Sequence, residues 1–214
     1  MLYVYSKGGV SMAQRLPVIL NDDERKALLK QANKRYITGH RNKVMIQIMF
    51  NLGLRLAEVI NLKWDDIDFL SEVLMIREGK GMKDRTLYVK DNNWRGEDDK
   101  KALQEWKDRQ VKTLGYLPEY VFTTTSKGAE GKQLQPRYIQ DMISRYSNRA
   151  GIKKNVSPHT LRHTFATDLY RKIKDPVTVK NALGHSSITT TMIYVHLVGA
   201  DVEKALSGGD IECS

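Results

Sequence analysis

Cysteine is almost absent from this 214-residue chain, whose one cysteine is Cys213 near the end of the sequence. A single thiol cannot form an intrachain disulfide or a zinc site built from several thiolates. The fold therefore has to be stabilised by its apolar core, and we expect the protein to work under reducing conditions.

Long apolar runs are also missing. No stretch approaches the roughly 18 consecutive apolar residues that cross a bilayer. The opening sequence MLYVYSKGGV lacks the basic start and long apolar run of a secretory signal. We therefore predict a cytoplasmic protein that does not associate with membranes.

Acidic residues are too few to balance the basic ones. The chain has 35 Lys and Arg against 25 Asp and Glu, a formal net charge of +10. The excess is concentrated in residues 131–174, whereas residues 58–72 are locally acidic. A one-sided basic face favours a polyanion such as double-stranded DNA as the partner, although a merely solvated basic surface stays possible from charge alone.

The length and the 41% hydrophobic content fit one folded domain rather than two. Residues 1–16 show no periodicity and are predicted to be a flexible arm. Residues 17–206 are predicted to form the domain, and residues 207–214 a flexible tail. No internal repeat or low-complexity tract interrupts the chain.

Hydrophobic spacing predicts a mainly helical α+β domain with a small three-stranded antiparallel sheet. An early helix is expected to start at Asn21, which has Glu24 three residues later in a capping-box pattern. A second, more buried helix should end at Gly53. Further helices are predicted at 54–62, 98–113, 136–150 and 158–170, with strands at 67–69, 73–76 and 86–89. Later helices should begin at Asp175-Pro176 and after Ser187.

The segment HTLRH at 159–163 places chemistry on one helix. At about 100° per residue, His159, Arg162 and His163 share a face, and Leu161 points toward a core. An arginine can donate a bidentate fork to a phosphate, and a histidine can donate a hydrogen bond or move a proton near neutral pH. On their own, these residues fit an ordinary surface or half-buried polar helix face better than a phosphate site.

Two further residues follow in order, His185 after Gly184 and Tyr194 nine positions later. A tyrosine hydroxyl has a pKa near 10 and is a weak nucleophile at pH 7. It needs an electrophile whose charge is already neutralised, which the preceding basic residues can provide.

The whole set resembles the tyrosine recombinase and integrase family, particularly its Xer-like members, from about residue 15 to residue 206. GLRLAE at 53–58 resembles the family's first arginine box, and GKGMK at 79–83 resembles its lysine turn. HTLR at 159–162 resembles the His-x-x-Arg box. The resemblance implies six catalytic positions, which are Arg55, Lys80, His159, Arg162, His185 and Tyr194.

The family resemblance implies a role for each of them. Arg55, Arg162 and His185 would stabilise the negative charge that develops on a phosphodiester. Tyr194 would attack the phosphorus to give a 3′-phosphotyrosyl link and a free 5′-hydroxyl. His159 is the leading general base and Lys80 the general acid. Glu58 would orient a neighbour in the site, and neither a metal nor a nucleotide cofactor is implied.

Some assignments stay open at this point. Lys83 and Arg85 are within the same reach as Lys80 for the acid role. His159 and His163 together could suggest a two-histidine metal site, but no Glu stands between them as in zincins. His40 and His196 have no supporting spacing and are interpreted as structural or surface residues.

The motifs begin too early for the separate N-terminal DNA-clamping domain of most family members. The resemblance therefore implies either a catalytic fragment or a minimal integrase. It also implies a homo-oligomer, a tetramer on DNA, in which a short helix at 197–206, beyond the nucleophile, packs its apolar stripe into a neighbour, although an intramolecular cap fits the stripe equally well. A type IB topoisomerase and a noncatalytic DNA-binding regulator are the competing functions.

Overall fold

The computed structural model describes residues 16–77, 84–90, 93 and 95–206, with side chains described as far as residue 200. Helix α1 spans Asp22–Lys30 and starts as predicted, because Asn21 Oδ1 accepts a hydrogen bond from the Glu24 amide and Glu24 Oε2 accepts one from the Asn21 amide. Three acidic residues in its first turn interact favourably with the positive end of the helix dipole.

Helix α2 spans Ile37–Leu52 and is buried along most of its length, so it forms the centre of the domain. It ends at Gly53, whose φ of 63° lies in the left-handed region. Only glycine adopts that conformation without strain. The chain leaves α2 there and enters the short helix α3, Leu56–Asn61.

The sheet has the predicted three antiparallel strands in the order β1, β2, β3. They are Ile67–Asp68, Val73–Ile76 and Arg85–Tyr88. In the register between β2 and β3, Leu74 pairs with Leu87 and both are buried. The alternation of buried and exposed residues sets one face of the sheet against the core and leaves Tyr88 on the other face.

Helices α4, Asp99–Leu114, and α5, Pro136–Arg149, complete the main core. Trp106 of α4 is fully buried and donates its indole hydrogen to the carbonyl of Val121. In α5 the predicted apolar spacing is borne out, because Ile139, Met142 and Ile143 are all fully buried. These contacts fix α5 against the domain.

The last three helices build the site. They are α6, Pro158–Ile173, α7, Pro176–Leu183, and α8, Thr189–Leu206. Leu161 near the start of α6 joins the main core, while Phe165 and Ala166 belong to a second apolar cluster. That cluster also contains Val179 and Leu183 of α7 and Tyr194 of α8.

The predicted elements are present, and most boundaries move by one to three residues. The clearest difference is in α8, which continues through Gly199 to Leu206 instead of leaving a separate short helix at 197–206. Gly199 lies in the interior of this helix and is exposed. In the described part of the chain, none of the helices has the length and apolar character of a membrane span.

Candidate active site

Arg55 lies at the junction between α2 and α3, two residues after the left-handed Gly53. Its Nη1 donates to Glu58 Oε1 at 2.7 Å, and its Nη2 donates to the Gly184 carbonyl at 2.7 Å. The Arg55 amide also donates to Glu58 Oε2 at 2.7 Å. The side chain keeps 28% of its surface exposed, so it is held in place and still faces the solvent.

Arg162 is held more deeply, with 7% of its side chain exposed. Its Nη1 donates to the Gly53 carbonyl at 2.7 Å and its Nη2 to the Leu183 carbonyl at 2.6 Å. Burial lowers the pKa of its guanidinium to about 10, and the positive charge of Arg55 acts in the same direction. The group therefore stays cationic at neutral pH in a poorly solvated position, where an anion gains most from it.

Glu58 connects the cations of the site. Besides Arg55, it accepts two hydrogen bonds from Arg85, at 2.9 Å and 2.8 Å, and its Oε2 lies 4.0 Å from Arg162 Nη1. Burial raises the pKa of this carboxyl, but the hydrogen bonds and charge of Arg85, helped by the Arg55 amide and Arg162, outweigh it and leave the pKa at about 2. Glu58 is thus an anion at every working pH.

The last turn of α7 positions three guanidinium groups side by side. The carbonyl oxygens of residues 182–184 each accept from a different arginine: Ala182 from Arg85, Leu183 from Arg162 and Gly184 from Arg55. Carbonyls at the C-terminal end of a helix are unsatisfied within the helix and carry partial negative charge. They are therefore suitable anchors for cations brought from α3, α6 and β3.

His185 follows directly after these carbonyls. Its Nδ1 lies 3.0 Å from Thr191 Oγ1 of α8, which fixes the orientation of the ring. Burial lowers the pKa of His185 to about 4, and the charges of Arg162 and Arg55 contribute further. The neutral ring can donate one hydrogen bond to an anion in the same place as the arginines.

Tyr194 lies in the second apolar cluster with only 2% of its surface exposed. Its hydroxyl oxygen is 3.0 Å from Nδ1 of His163. Burial raises the pKa of the Tyr194 phenol, while the charge of Arg162 acts to lower it. Burial, followed by the charges of His159 and Arg162, lowers the pKa of His163 to about 4. Tyr194 packs in the same apolar cluster as Leu183, whose carbonyl accepts from Arg162.

The structure brings most of the predicted site residues together, and His159 and Lys80 are the two exceptions. His159 is on the exposed side of α6, and the contact that the structure shows for the Tyr194 hydroxyl is with His163 instead. Lys80, together with Lys83 and the rest of the GKGMK turn, lies outside the described residues. Of the six positions, Arg55 and Arg162 meet at the last turn of α7, and His185 follows that turn directly. Tyr194 packs against the same helix through Leu183, and His159 lies on α6 one turn before His163.

Sequence reasoning overlooked His163 and Arg85 as parts of the site. The sequence suggests a metal-ligand role for His163, and over the described ranges the structure groups no three His, Cys, Asp or Glu side chains as a ligand set. For Arg85 the sequence suggests only an alternative acid. Its Nη1 and Nη2 donate to Glu58 and its Nε to Ala182, so it is an ion-pair partner here. The helical spacing of His163 and His159 was the available signal.

A groove of about 680 Å³ opens beside the arginines. Its walls include Arg55, Glu58, Asn61, Lys63, Arg77 and Tyr120. Lys63 pairs with Glu119 at 2.7 Å, and its ammonium lies 5.8 Å from the centre of the Tyr120 ring. The groove therefore reaches Arg55, and its lining combines these basic side chains with the carboxylates of Glu58, Asp65 and Asp66.

Comparison with known proteins adds to this geometry. Residues 19–200 match the family model described as the phage integrase family. Tyrosine recombinase XerD of Staphylococcus aureus (strain N315) is 31% identical over 195 residues, which are 89% of this chain and 62% of that protein. The chain thus spans less than two thirds of the length of this curated relative.

Solved structures show the same similarity. The crystal structure of XerA recombinase superposes with a TM-score of 0.74 at 30% identity, over 91% of this chain and 66% of that one. XerH recombinase in a post-cleavage complex with its palindromic difH substrate gives a TM-score of 0.76 at 29% identity, over 94% of this chain and 56% of that one. The predicted family resemblance and fold class are confirmed.

Proposed function

Because the chain belongs to the phage integrase family, we propose that it cleaves and rejoins DNA strands with Tyr194 as the nucleophile. The observation that carries the proposal is the convergence of Arg55 and Arg162 on adjacent carbonyls at the end of α7, where Leu183 packs in one apolar cluster with Tyr194. Two fixed guanidinium groups next to a phenol suit one substrate class, a phosphodiester. The proposed substrate is double-stranded DNA, as in the XerH complex.

In the proposed reaction the phenol oxygen of Tyr194 forms a bond to the scissile phosphorus, and the bond from phosphorus to the 5′-oxygen breaks. The products are a 3′-phosphotyrosyl link and a 5′-hydroxyl. Attack by the 5′-hydroxyl of a partner strand reverses the step and releases Tyr194. The number of phosphodiester-type bonds is conserved, so no nucleotide cofactor has to supply energy.

Arg55 and Arg162 have the role of binding the non-bridging oxygens. A guanidinium carries five N–H donors, and Arg162 directs Nη1 and Nη2 to the carbonyls of Gly53 and Leu183. Such anchoring fixes the cation before the substrate arrives, so little reorganisation is needed as charge develops. Neutral His185 adds a hydrogen-bond donor on the same side, and no metal is required for charge neutralisation.

The proton of Tyr194 is the main obstacle in the conformation observed. A phenol with a raised pKa cannot pass its proton readily to His163, whose pKa is about 4. We infer that this is a resting arrangement. A bound phosphate adds negative charge beside His163 and His185, which raises their pKa values and favours proton acceptance.

Because Tyr194 is 2% exposed, the N-terminal part of α8 also has to shift before the phenol reaches a DNA phosphate. His159 as the final proton acceptor and Lys80 as the acid for the leaving oxygen stay predictions from the family resemblance.

We further propose a homo-oligomer that forms a tetramer on DNA in the cytoplasm, with exchange of the C-terminal end of α8 between neighbours. Glycine in a helix interior is destabilising by roughly 0.5–1 kcal/mol relative to alanine. The exposed Gly199 of α8 is therefore the place where the helix separates most easily, freeing the segment after it. A Gly199→Ala variant should then favour the monomer in sedimentation with DNA.

Covalent capture tests the reaction. The protein is mixed with a pool of nicked DNA duplexes of randomised sequence, in which cleavage next to the nick releases a short fragment and prevents religation. We expect a protein–DNA adduct that survives denaturing electrophoresis and forms in the presence of EDTA. Tyr194→Phe should give none, whereas Tyr170→Phe, a matched change on α6, should retain it. DNA binding without any adduct would favour the noncatalytic regulator.

A further inference from the structure

Arg85 makes the most extensive side-chain contacts with Glu58. It stands at the start of β3, 27 residues from Glu58 in sequence. Its two terminal nitrogens donate to the two carboxylate oxygens at 2.9 Å and 2.8 Å, and its Nε donates to the Ala182 carbonyl at 3.1 Å. The exposed fractions of the two side chains are 8% and 9%, so the pair is shielded from water.

The position of Glu58 matters because it lies among the phosphate-binding cations. Its Oε1 accepts from Arg55 at 2.7 Å, and its Oε2 lies 4.0 Å from Arg162. A carboxylate in that position is a potential competitor of the DNA phosphate for the same two guanidinium groups. The bidentate pairing with Arg85 keeps both carboxylate oxygens directed toward β3.

We propose that Arg85 is a positioning residue: it holds Glu58 against β3 and α7, so that Arg55 is oriented and Arg162 stays available to the DNA phosphate. The role rests on the proposed strand-cleavage function and acts through Glu58. The Nε of Arg85 also donates to the last turn of α7, whose next two carbonyls accept from Arg162 and Arg55.

The chemistry requires an arginine rather than any cation. Three donors of one planar group reach two carboxylate oxygens and a carbonyl at once. A lysine ammonium is a point charge on a flexible stem and cannot reproduce this fixed fork. Arg85→Lys should therefore keep the charge and lose most of the orientation.

The test measures single-turnover cleavage of the captured nicked duplex at saturating protein. Arg85→Met should slow cleavage by about 10- to 100-fold, the effect of a small misplacement of catalytic groups. The dissociation constant for the same DNA should change by less than about 3-fold, since DNA affinity is spread over many phosphate contacts. The cleavage rate of Arg85→Lys should lie between those of Arg85→Met and the wild type. Arg85→Lys replaces Arg85→Met in this measurement if Arg85→Met does not fold.

A double variant separates positioning from mere loss of structure. If Arg85 acts through Glu58, its removal should matter little once Glu58→Gln has removed the competing charge. The Arg85→Met/Glu58→Gln protein should therefore cleave at least as fast as Arg85→Met alone. Multiplying defects would instead mean independent roles and would overturn the proposal.

Arg95→Met is the matched control. Arg95 forms an ion pair with Asp168 of α6 at 2.7 Å, with 6% of the arginine side chain and 21% of the aspartate side chain exposed. The Arg95→Met variant should lower the melting temperature by an amount comparable to that of Arg85→Met and leave the cleavage rate within about 3-fold of the wild type. Equal rates for folded Arg85→Met and wild type would overturn the Arg85 role alone, whereas a wild type that forms no adduct would overturn the proposed function and this role together.

Discussion

The hydroxyl of Tyr194, a residue of the second apolar cluster, lies 3.0 Å from Nδ1 of His163. Burial favours the neutral form of both groups, because it raises the pKa of the phenol and lowers that of the imidazole. The proposed nucleophile is therefore stored as a neutral, hydrogen-bonded side chain, and its activation depends on a change in its surroundings.

A double-mutant cycle should detect this hydrogen bond. Tyr194→Phe and His163→Phe should each lower the free energy of unfolding by about 1–3 kcal/mol, since each leaves a buried partner unsatisfied. The double variant should lose less than the sum, with a coupling of at least about 0.5 kcal/mol. Urea unfolding measures all four proteins, and strictly additive losses would show that the contact has no energetic role.

The histidines should make the fold sensitive to acid. His163 and His185 have pKa values of about 4 in the folded protein, below the ordinary value of 6.5. Between those values the unfolded chain binds more protons, so their contribution to stability is lost as the pH falls from about 6.5 toward about 4. Asp99 has the opposite effect on stability, because burial raises its pKa to about 6 from 3.8. Between those values the folded protein binds more protons, so stability increases as the pH falls.

The contribution of the histidines is therefore measured by comparing the pH dependence of the melting temperature of the wild type with that of variants. A protein with His163→Gln and His185→Gln should show a smaller decrease in melting temperature between pH 7 and pH 4.5 than the wild type. Asp99→Asn should show a larger one, since the opposing contribution has been removed. Parallel curves for all three proteins would contradict the assigned shifts.

Gly53 should tolerate no side chain. Its φ is +63°, and an added Cβ would lie 2.2 Å from Cδ1 of Phe165. Gly53→Ala should therefore destabilise the fold by about 2–4 kcal/mol and slow cleavage, because the Gly53 carbonyl anchors Arg162. Gly115→Ala is the control, with φ +80° and nothing within 4 Å of the new Cβ. The Gly115→Ala variant should lower the free energy of unfolding by only about 1 kcal/mol, the backbone strain alone, as measured by urea unfolding.

The charge of Arg162 should be needed only for a charged phosphate. Arg162→Ala should lower the cleavage rate of ordinary DNA by about 100-fold or more, comparable to loss of a preorganised donor in other enzymes. On a substrate whose scissile phosphate is replaced by an uncharged methylphosphonate, the same variant should lose much less relative to the wild type. An equal loss on both substrates, measured as adduct formation over time, would point to a structural role instead.

The sequence was sufficient for the helices and for the three strands of the antiparallel sheet, since periodicity and capping are local properties. Helix α1 begins after Asn21 and helix α2 ends at Gly53, as the capping chemistry of these two residues predicts. The continuous α8 was not predicted, because an apolar stripe beyond Tyr194 cannot distinguish one helix from two.

The pairing of residues far apart in sequence was the main omission. Nothing local distinguishes His163 from His159 as the neighbour of Tyr194, because both share one face of α6. The choice depends on how α8 packs against α6. The same holds for Arg85, whose role arises only where β3 meets α3 and α7.

The central claim is that Tyr194 becomes joined to DNA through a 3′-phosphate. The direct measurement is mass spectrometry of the captured adduct after digestion with nuclease and protease. The account predicts a single modified peptide from α8 that carries a nucleotide 3′-phosphate on Tyr194, together with a free 5′-hydroxyl on the released strand. Attachment at another residue, or through a 5′-phosphate, would contradict it.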